Sequence, residues 1–486
     1  MRPTLKFLDD HLLERIIAEA RDTLCGLGVE IHNAAILSLM ADHGGRVEAS
    51  RNRVFFTETM IDKALATVAS GFALHDVGGK QTHDLSGYNV YYTPGSAAIN
   101  ILDHSAHDVR APTTADYVRY VKLVAQLDNI ASQSTAMVPS DVHQNISDSY
   151  RLFLGLMYGE KPVVTGAFTI DAFTIMRDLQ IAVRGTTQEL AKKPLTVFSC
   201  CPTAPLKWSD VTSQNVVDCA LHSIPVEYIS MPLSGFVAPV TLVGTLVQHT
   251  AETLSGIVIS QLTNPGTPAL YGGSPAIFDM RYETTPMGAV ETMMIDCAYN
   301  EIGKYLGLPT QAYMGMSDAK LLDAQTGLES SMGATLAALA GINNVSGPGM
   351  LDFESCFSLE KLLIDNEICG MAKRLVSGIV PRDDFPAIPR FEELLEEQHL
   401  LISQHTRKYL RDEHFMPGPS LDRANRSRWR EEGSTTLGDR AHAEVERLVS
   451  NHTPSTLSDD VKSEMTKLMS AEARRYGMDT LPHTAL

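Results

Sequence analysis

LPTQAYMGMSDAKLLDAQTGLESSMGATLAALAGINNVSGPGML (308–351) holds the unit from which the architecture is read. Thr310 to Met314 reads as a short strand, and Gly315-Met316-Ser317 as a break. A long helix follows, polar at first and then apolar. A second strand ends in another glycine-proline break, Gly347-Pro348-Gly349. Strand, helix and strand in that order imply a crossover and hence parallel pairing.

Working outward, the same alternation recurs from about residue 89. Eight strand-like runs appear: 88–93, 129–137, 161–168, 194–200, 225–231, 268–274, 309–315 and 342–349. Helix-like stretches separate them at 114–127, 145–158, 171–184, 209–222, 241–262, 287–306 and 319–340, with 357–376 after the last. Eight units over about 290 residues match the size of a (β/α)8 TIM barrel. An open doubly wound sheet is disfavoured: no G-x-G-x-x-G follows the first strand and no GKS or GKT loop exists. The fold expected is α/β, a barrel over 89–376 with an N-terminal α+β extension (1–88) and a C-terminal helical segment (377–486).

In the extension, Leu12, Leu13, Ile16, Ile17, Ala20 and Leu24 recur at helical spacing, Asn33 caps a second helix, and Arg53 to Phe56 reads as a strand. In the C-terminal segment, 392–415 reads as one charged helix, and two amphipathic helices follow a turn-rich connector. That segment is expected to pack on the barrel or on a neighbouring subunit, which makes it a candidate surface for a homo-oligomer.

The 486 residues carry 40 basic and 58 acidic side chains, a net charge of −18, with no Lys/Arg run to form a phosphate-binding stripe. Nucleic acid is not an expected partner. No apolar run approaches the roughly 18 residues that span a bilayer, and acids stand where a signal peptide needs an apolar core. A cytoplasmic protein is expected, with its 7 cysteines reduced.

Candidate chemistry clusters after the 309–315 strand, where a barrel strand would deliver side chains to the open face. Ser317, Asp318, Lys320, Asp323, Gln325 and Glu329 crowd there; Gln325 and Glu329 share a helix face. Such groups could orient a substrate, or Ser317-Asp318 could simply cap the next helix. His249 and Glu252 lie three apart on an apolar helix, a single pair that reads better as core than as a metal site. Cys200 and Cys201 are adjacent in a strand and so point to opposite faces, which favours thiol packing over zinc. Tyr91, Tyr92, Tyr228, Tyr271 and Tyr313 collect near strand ends, either as strand filler or as a cage for a quaternary ammonium. No G-x-S-x-G elbow exists. From the residues alone, the reading stops at a barrel enzyme of unspecified substrate.

Longer strings go further. CPTAPL (201–206), PVEYISMPLSG (225–235), TLVGTLVQHTAETLSGIVISQLTNPG (241–266), GMSDAKLLDAQTGLE (315–329), AALAGINNVSGPGML (337–351) and SLEKLLIDNEI (358–368) resemble the trimethylamine methyltransferase family of corrinoid-dependent enzymes. The resemblance implies a (β/α)8 barrel and methyl transfer to the Co(I) corrinoid (cobalamin) of a small partner protein, with no tightly bound cofactor and no metal in this chain. Archaeal members carry pyrrolysine in the segment matching Gly315 to Lys320, where this chain has Met316. A thioether lacks pyrrolysine's electrophilic ring, so the resemblance is to members that demethylate quaternary amines, glycine betaine or a related betaine. By this resemblance Met316, Asp318, Gln325 and Glu329 are the catalytic candidates, with Asp323, Gln325 and Glu329 shaping the loop. Tyr92 and Tyr271 are candidates to hold the ammonium; His249, Arg281 and Lys320 are candidates for a betaine carboxylate. A zinc-assisted donor at Cys200 or Cys201 and a quaternary-amine-binding protein without turnover are the alternatives.

Overall fold

The computed structural model describes residues 2–485. Each of the eight runs contains a parallel strand: β1 (Tyr91–Thr93), β2 (Gln133–Ser134), β3 (Val163–Thr165), β4 (Thr196–Cys200), β5 (Val226–Ser230), β6 (Ala269–Gly273), β7 (Gln311–Tyr313) and β8 (Asn344–Ser346). The intervening helices are α1 (Thr114–Val124), α2 (Ser147–Tyr158), α3 (Ile170–Arg184), α4 (Asp210–Leu221), α5 (Leu242–Thr263), α6 (Val290–Tyr305) and α7 (Ala324–Ala340), with α8 (Leu359–Val376) after β8. Local chemistry sets the helix starts: Thr241, Asp323 and Ser358 cap α5, α7 and α8 through their side-chain oxygens.

The strands form two parallel sheets, ordered β6-β5-β4-β3-β2 and β7-β8-β1, in a mixed α/β chain. One unbroken ladder of eight is not what the structure shows. At each seam stands a single parallel bridge, Tyr92 with Ile130 and Tyr271 with Thr310. The seam strands β1, β2 and β7 are only 3, 2 and 3 residues long, too short to continue the ladder beyond one pair.

Period-2 alternation sorts each strand's side chains. Val164, Val197 and Leu270 form an apolar cluster with Leu74 and Leu85. Those leucines come from an antiparallel hairpin, Phe72–His75 with Gln81–Leu85, which plugs the N-terminal ends of the strands. The chemistry is thereby left to the opposite end.

Helix α5 is buried on nearly every face, because the helices Asp10–Gly26 and Glu58–Thr67 of the extension cover its outer side. This explains its mean apolar character and its enclosed His249 and Glu252. The extension is also stitched to the loop after β4, where Val29–Ile31 pairs in parallel with Lys207–Trp208. On the far side, the helix Leu437–Ser450 packs on α8 and α1, and Asp459–Arg475 packs on α3 and α2. The single charged helix read over 392–415 is instead two, Ile388–Glu397 and Gln404–Glu413, separated where Gln398 adopts a left-handed φ of 62°. Among the described residues no helix is long and apolar enough to cross a membrane.

Gly256 lets α5 lie against β5. A Cβ there would fall 2.4 Å from the Tyr228 ring and 2.9 Å from the Trp208 ring. Gly256→Val is expected to destabilise the protein by about 1–3 kcal/mol through overpacking, read as a lower midpoint in thermal unfolding.

Candidate active site

A hydrogen-bonded polar layer crosses from one sheet to the other above the apolar plug. Ser199 Oγ of β4 donates to Glu227 Oε1 of β5 at 2.7 Å, and Asn344 Nδ2 of β8 donates to Glu227 Oε2 at 3.0 Å. Thr93 Oγ1 of β1 donates in turn to Asn344 Oδ1 at 2.8 Å. Glu227 is fully buried, and loss of water pushes its carboxyl up to about 7 in spite of those two donors.

Beyond this layer, the loop after β7 turns at Gly315, whose φ of 79° favours glycine. Met316 is 2% exposed, its methyl group lying over Gly347 of the loop after β8. Glu329 of α7 organises the next residues. Its Oε2 accepts from Ser317 Oγ at 2.6 Å and from the Asp318 N–H at 2.8 Å, and its Oε1 accepts from Gln325 Nε2 at 2.9 Å. Asp318 accepts from the Met287 and Gly288 N–H groups at 3.0 and 2.8 Å. Burial still lifts its carboxyl to about 6, with the Glu329 charge adding to the rise. Helix α7 is capped by Asp323, which accepts from the Gln325 N–H at 2.9 Å. The Ser317-Asp318 pair is therefore free of the capping role that its sequence position offered.

A third carboxyl comes from the loop after β8. Asp352, Phe353 and Glu354 have φ of 49°, 56° and 66°, three consecutive non-glycine residues in the left-handed region. Each costs conformational energy that surrounding structure has to hold in place. Lys320 supplies part of that hold: its Nζ donates to Asp318 O at 2.7 Å, lies 3.2 Å from Asp352 Oδ1 and sits 3.8 Å over the Phe353 ring. The turn carries Glu354 toward Asp318. Burial, reinforced by the Asp318 charge, pushes the Glu354 carboxyl up to about 8. Its Oε1 is buried with no hydrogen-bond partner among the described residues.

Burial raises Tyr313 and Cys201, and the Glu227 and Glu354 charges raise both further; Cys201, which also feels Cys200, goes to about 12. The Tyr313 hydroxyl lies 3.3 Å from Ser96 Oγ. Among the described residues, none of Glu227, Asp318 and Glu354 forms an ion pair with a lysine or arginine. What results is a partly protonated acidic face with a phenol and a thioether beside it. Such a surface can stabilise a cation that sheds its own water.

The structure therefore brings Met316, Asp318, Gln325, Glu329 and Lys320 together, and places the remaining candidates elsewhere. The Tyr92 hydroxyl donates to Ala334 O of α7 at 2.7 Å, and the Tyr271 hydroxyl to Thr250 Oγ1 of α5 at 2.9 Å. Both rings lie in the layer between strands and helices, because they occupy the outward positions of β1 and β6. His249 is fully buried, stacked on Tyr299 with centroids 4.1 Å apart, and burial lowers its ring to about 3. Arg281 is exposed and forked onto Asp279 at 3.0 and 2.5 Å. Cys200 points away from Cys201, toward Cys219 under α4. Glu227 could have been picked out as the one acid inside an apolar strand, VEYIS. Glu354 left no periodic signal, since its placement depends on a left-handed turn.

A family model described as trimethylamine methyltransferase (MTTB) matches residues 1–477. Trimethylamine methyltransferase MttB of Desulfitobacterium hafniense (strain DSM 10664 / DCB-2) is 28% identical over 469 residues, 96% of this chain and 94% of that protein. Trimethylamine methyltransferase MttB of Methanosarcina barkeri (strain Fusaro / DSM 804) is 30% identical over 474 residues, 94% of this chain and 93% of that protein. Glycine betaine methyltransferase of Desulfitobacterium hafniense (strain Y51) is 27% identical over 479 residues, 98% of each chain. Among solved structures, the Methanosarcina barkeri monomethylamine methyltransferase (MtmB) is similar with a TM-score of 0.54 at 12% identity, covering 98% of this chain and 89% of that one. At that identity the likeness speaks for the fold alone.

Two outcomes test this geometry. Glu329→Ala removes three acceptor contacts and should speed backbone amide exchange at 315–320, with exchange in the apolar plug unchanged. Glu354 holds its proton more tightly folded than unfolded, so the stability it contributes is full below the ordinary carboxylate range and is lost as pH rises through about 8. Lys161 and Lys304, lowered to about 7 by burial, act in the opposite sense, so the readout is a difference. The melting temperature of Glu354→Gln minus that of the unaltered protein should grow between about pH 5 and 8 and level off above.

Proposed function

Because the chain belongs to the trimethylamine methyltransferase (MTTB) family, we propose that it transfers a methyl group from a quaternary ammonium compound to the Co(I) corrinoid of a separate protein. The observation that carries the substrate class is a set of acids raised by burial, Glu227 and Glu354 both acting on the Tyr313 phenol and Asp318 on Glu354, with no lysine or arginine salt-bridged to any of the three among the described residues. In this reading the two parallel sheets, their two bridging pairs and the Glu227–Asn344 hydrogen bond between them make up one (β/α)8 barrel. Asp318 and Glu354 then belong to its C-terminal mouth, where barrel chemistry is built, and Glu227 to the interior of β5.

A quaternary nitrogen leaves as a neutral tertiary amine when its C–N bond breaks, taking the bonding pair, so the leaving group needs no proton. The corrinoid supplies the electron pair that forms the new bond to the methyl carbon. The donors of this face, carboxyls and a phenol, suit an ammonium ion, and no residue of the chain is required to ligate cobalt. What remains for the chain is to bind, orient and desolvate. Glu354 and Asp318 give up protons as the cation arrives and then face it as carboxylates. Tyr313 offers its ring at the same level, a cation–π contact worth about 0.5–2 kcal/mol once water is excluded. Met316 contributes a thioether wall where archaeal relatives are expected to carry pyrrolysine, which turns the reading from trimethylamine toward quaternary amines. Of the three groups considered for a betaine carboxylate, Lys320 alone lies beside this face, and its side chain is 59% exposed. A zwitterion would enter ammonium first with its carboxylate toward Lys320. A cytoplasmic location fits this role.

The decisive assay mixes the protein with Co(I) cobalamin, and separately with a cognate corrinoid protein, and follows conversion to methyl-Co(III). Tetramethylammonium, choline, carnitine and glycine betaine form the panel, with trimethylamine beside them. A response to at least one quaternary amine and none to trimethylamine is expected; the reverse pattern overturns the reading. Since the cation binds the ionised carboxyls, affinity for the active compound should rise by a factor on the order of fifty between pH 6 and 8, and Glu354→Gln should flatten that rise while lowering kcat/KM.

A further inference from the structure

Between β1 and α1 an antiparallel hairpin, Asn100–Asp103 with Asp108–Arg110, reaches out to the C-terminal segment. At its tip His104 stacks on His442 of the helix Leu437–Ser450, with ring centroids 4.2 Å apart and planes 12° from parallel. His442 Nδ1 lies 2.8 Å from Glu360 Oε1, in the first turn of α8. One ligand atom from each of the three residues can be chosen so that all lie within 4.8 Å of one another. Residues 104, 360 and 442 are far apart in sequence and sit on three separate elements, so their meeting is a product of the tertiary fold.

We propose that His104, Glu360 and His442 bind one divalent transition-metal ion of the zinc class, outside the catalytic face. Two imidazoles and a carboxylate form a borderline nitrogen and oxygen set, which suits Zn2+, Co2+ or Ni2+ and gives Mg2+ or Ca2+ too few oxygens. The carboxylate is already prepared for it. Glu360 is 7% exposed at its side chain, and Ser358 Oγ donates to its other oxygen at 3.1 Å, fixing its plane as outer-sphere partners of metal ligands do. Among the described residues its one charged partner is His442, a group that carries charge only when protonated. A buried carboxylate without a permanent cation is costly, and a metal removes that cost.

The geometry needs a small adjustment. Two ligands about 2.0–2.1 Å from a tetrahedral ion stand about 3.3 Å apart, so the 2.8 Å contact opens by about half an ångström and the His104 ring turns out of its stack. His104 lies on a half-exposed hairpin tip, where such a turn is cheap, and water completes the shell from that side. An ordinary His442–Glu360 ion pair would leave His104 without a role, and that difference is what an experiment can read.

The site also bears on the catalytic face. At the base of the hairpin, the N–H groups of Ile99 and Asn100 donate to Ser355 O at 3.2 and 3.0 Å, next to the left-handed turn that carries Glu354. A metal joining the hairpin tip to α8 and the C-terminal helix would stiffen that turn from outside.

The test uses the full-length protein, stripped with EDTA and dialysed. Zinc titration by calorimetry should show one equivalent bound at about 1 µM or tighter, unaffected by millimolar magnesium, with a rise in melting temperature on saturation. His104→Ala and His442→Ala should each weaken binding about tenfold or more. Cobalt(II) should give visible d–d bands without the near-ultraviolet thiolate charge-transfer band that the free cysteines would produce. Glu360→Gln, which keeps shape and removes charge, should weaken zinc while leaving the far-ultraviolet circular dichroism intact. Absence of saturable binding, a thiolate band, or unchanged affinity in His104→Ala would each overturn the proposal.

Discussion

A carboxyl group held across the molecule without a basic partner is the constraint on which this structure turns. Glu227 sits on β5, yet its two oxygens are satisfied by Ser199 of the same sheet and by Asn344 of the other. If either donor moved, a buried acid would lose a hydrogen bond whose replacement by water is blocked, at a cost of about 1–3 kcal/mol. The two sheets are thus tied through their interior at the height where the apolar plug ends. On the N-terminal side of that layer Val164, Val197 and Leu270 meet the apolar hairpin, and beyond it the loops carry Asp318 and Glu354.

The loops above the layer are fixed by the same kind of satisfaction. Glu329 takes up the donors of Ser317, Asp318 and Gln325, Asp318 takes up two backbone N–H groups, and Lys320 binds the loop after β7 to the turn after β8. Deeper still, the fully buried Lys361 pairs with Asp365 at 2.5 Å and donates to Ser330, while Asp365 accepts the Gly349 N–H. A buried pair of this kind is weak evidence for stability but strong evidence for a fixed loop, because removing one partner strands the other. The loops that carry Asp318 and Glu354 are consequently held in fixed positions. The raised proton affinities of the acids come first from loss of water, with the Glu329 charge adding at Asp318 and the Asp318 charge adding at Glu354.

Much of this was open to reading from the chain. Alternation of apolar strand-like runs with helical spacing marked all eight strands, because a parallel sheet covered by helices imposes both periods on the sequence. Asn33 as a helix cap followed from short-range chemistry. The polar group after β7 was legible for the same reason: Gln325 and Glu329 are neighbours on one helix face wherever the helix goes. The tyrosines were not. A strand places adjacent residues on opposite faces, so Tyr91 and Tyr92 differ completely in fate, and the sequence does not say which face is inward. Continuity of the sheet was overestimated as well, since ladder length depends on register at the seams.

By itself, then, the sequence determined the α/β alternation, the position of the acid-rich loop and, through long ordered strings, the family; each is encoded within a few residues or a few turns. Tertiary structure alone decided which acids share the face. Glu227 lies within β5, Asp318 in the loop after β7 and Glu354 in the loop after β8, and Glu354 reaches its place through three left-handed residues that no propensity favours. It also decided that Tyr92, Tyr271 and His249 belong to the packing between layers, and that His104, Glu360 and His442 meet. Charge and burial act through space, so distance along the chain carries no record of them until the fold is closed.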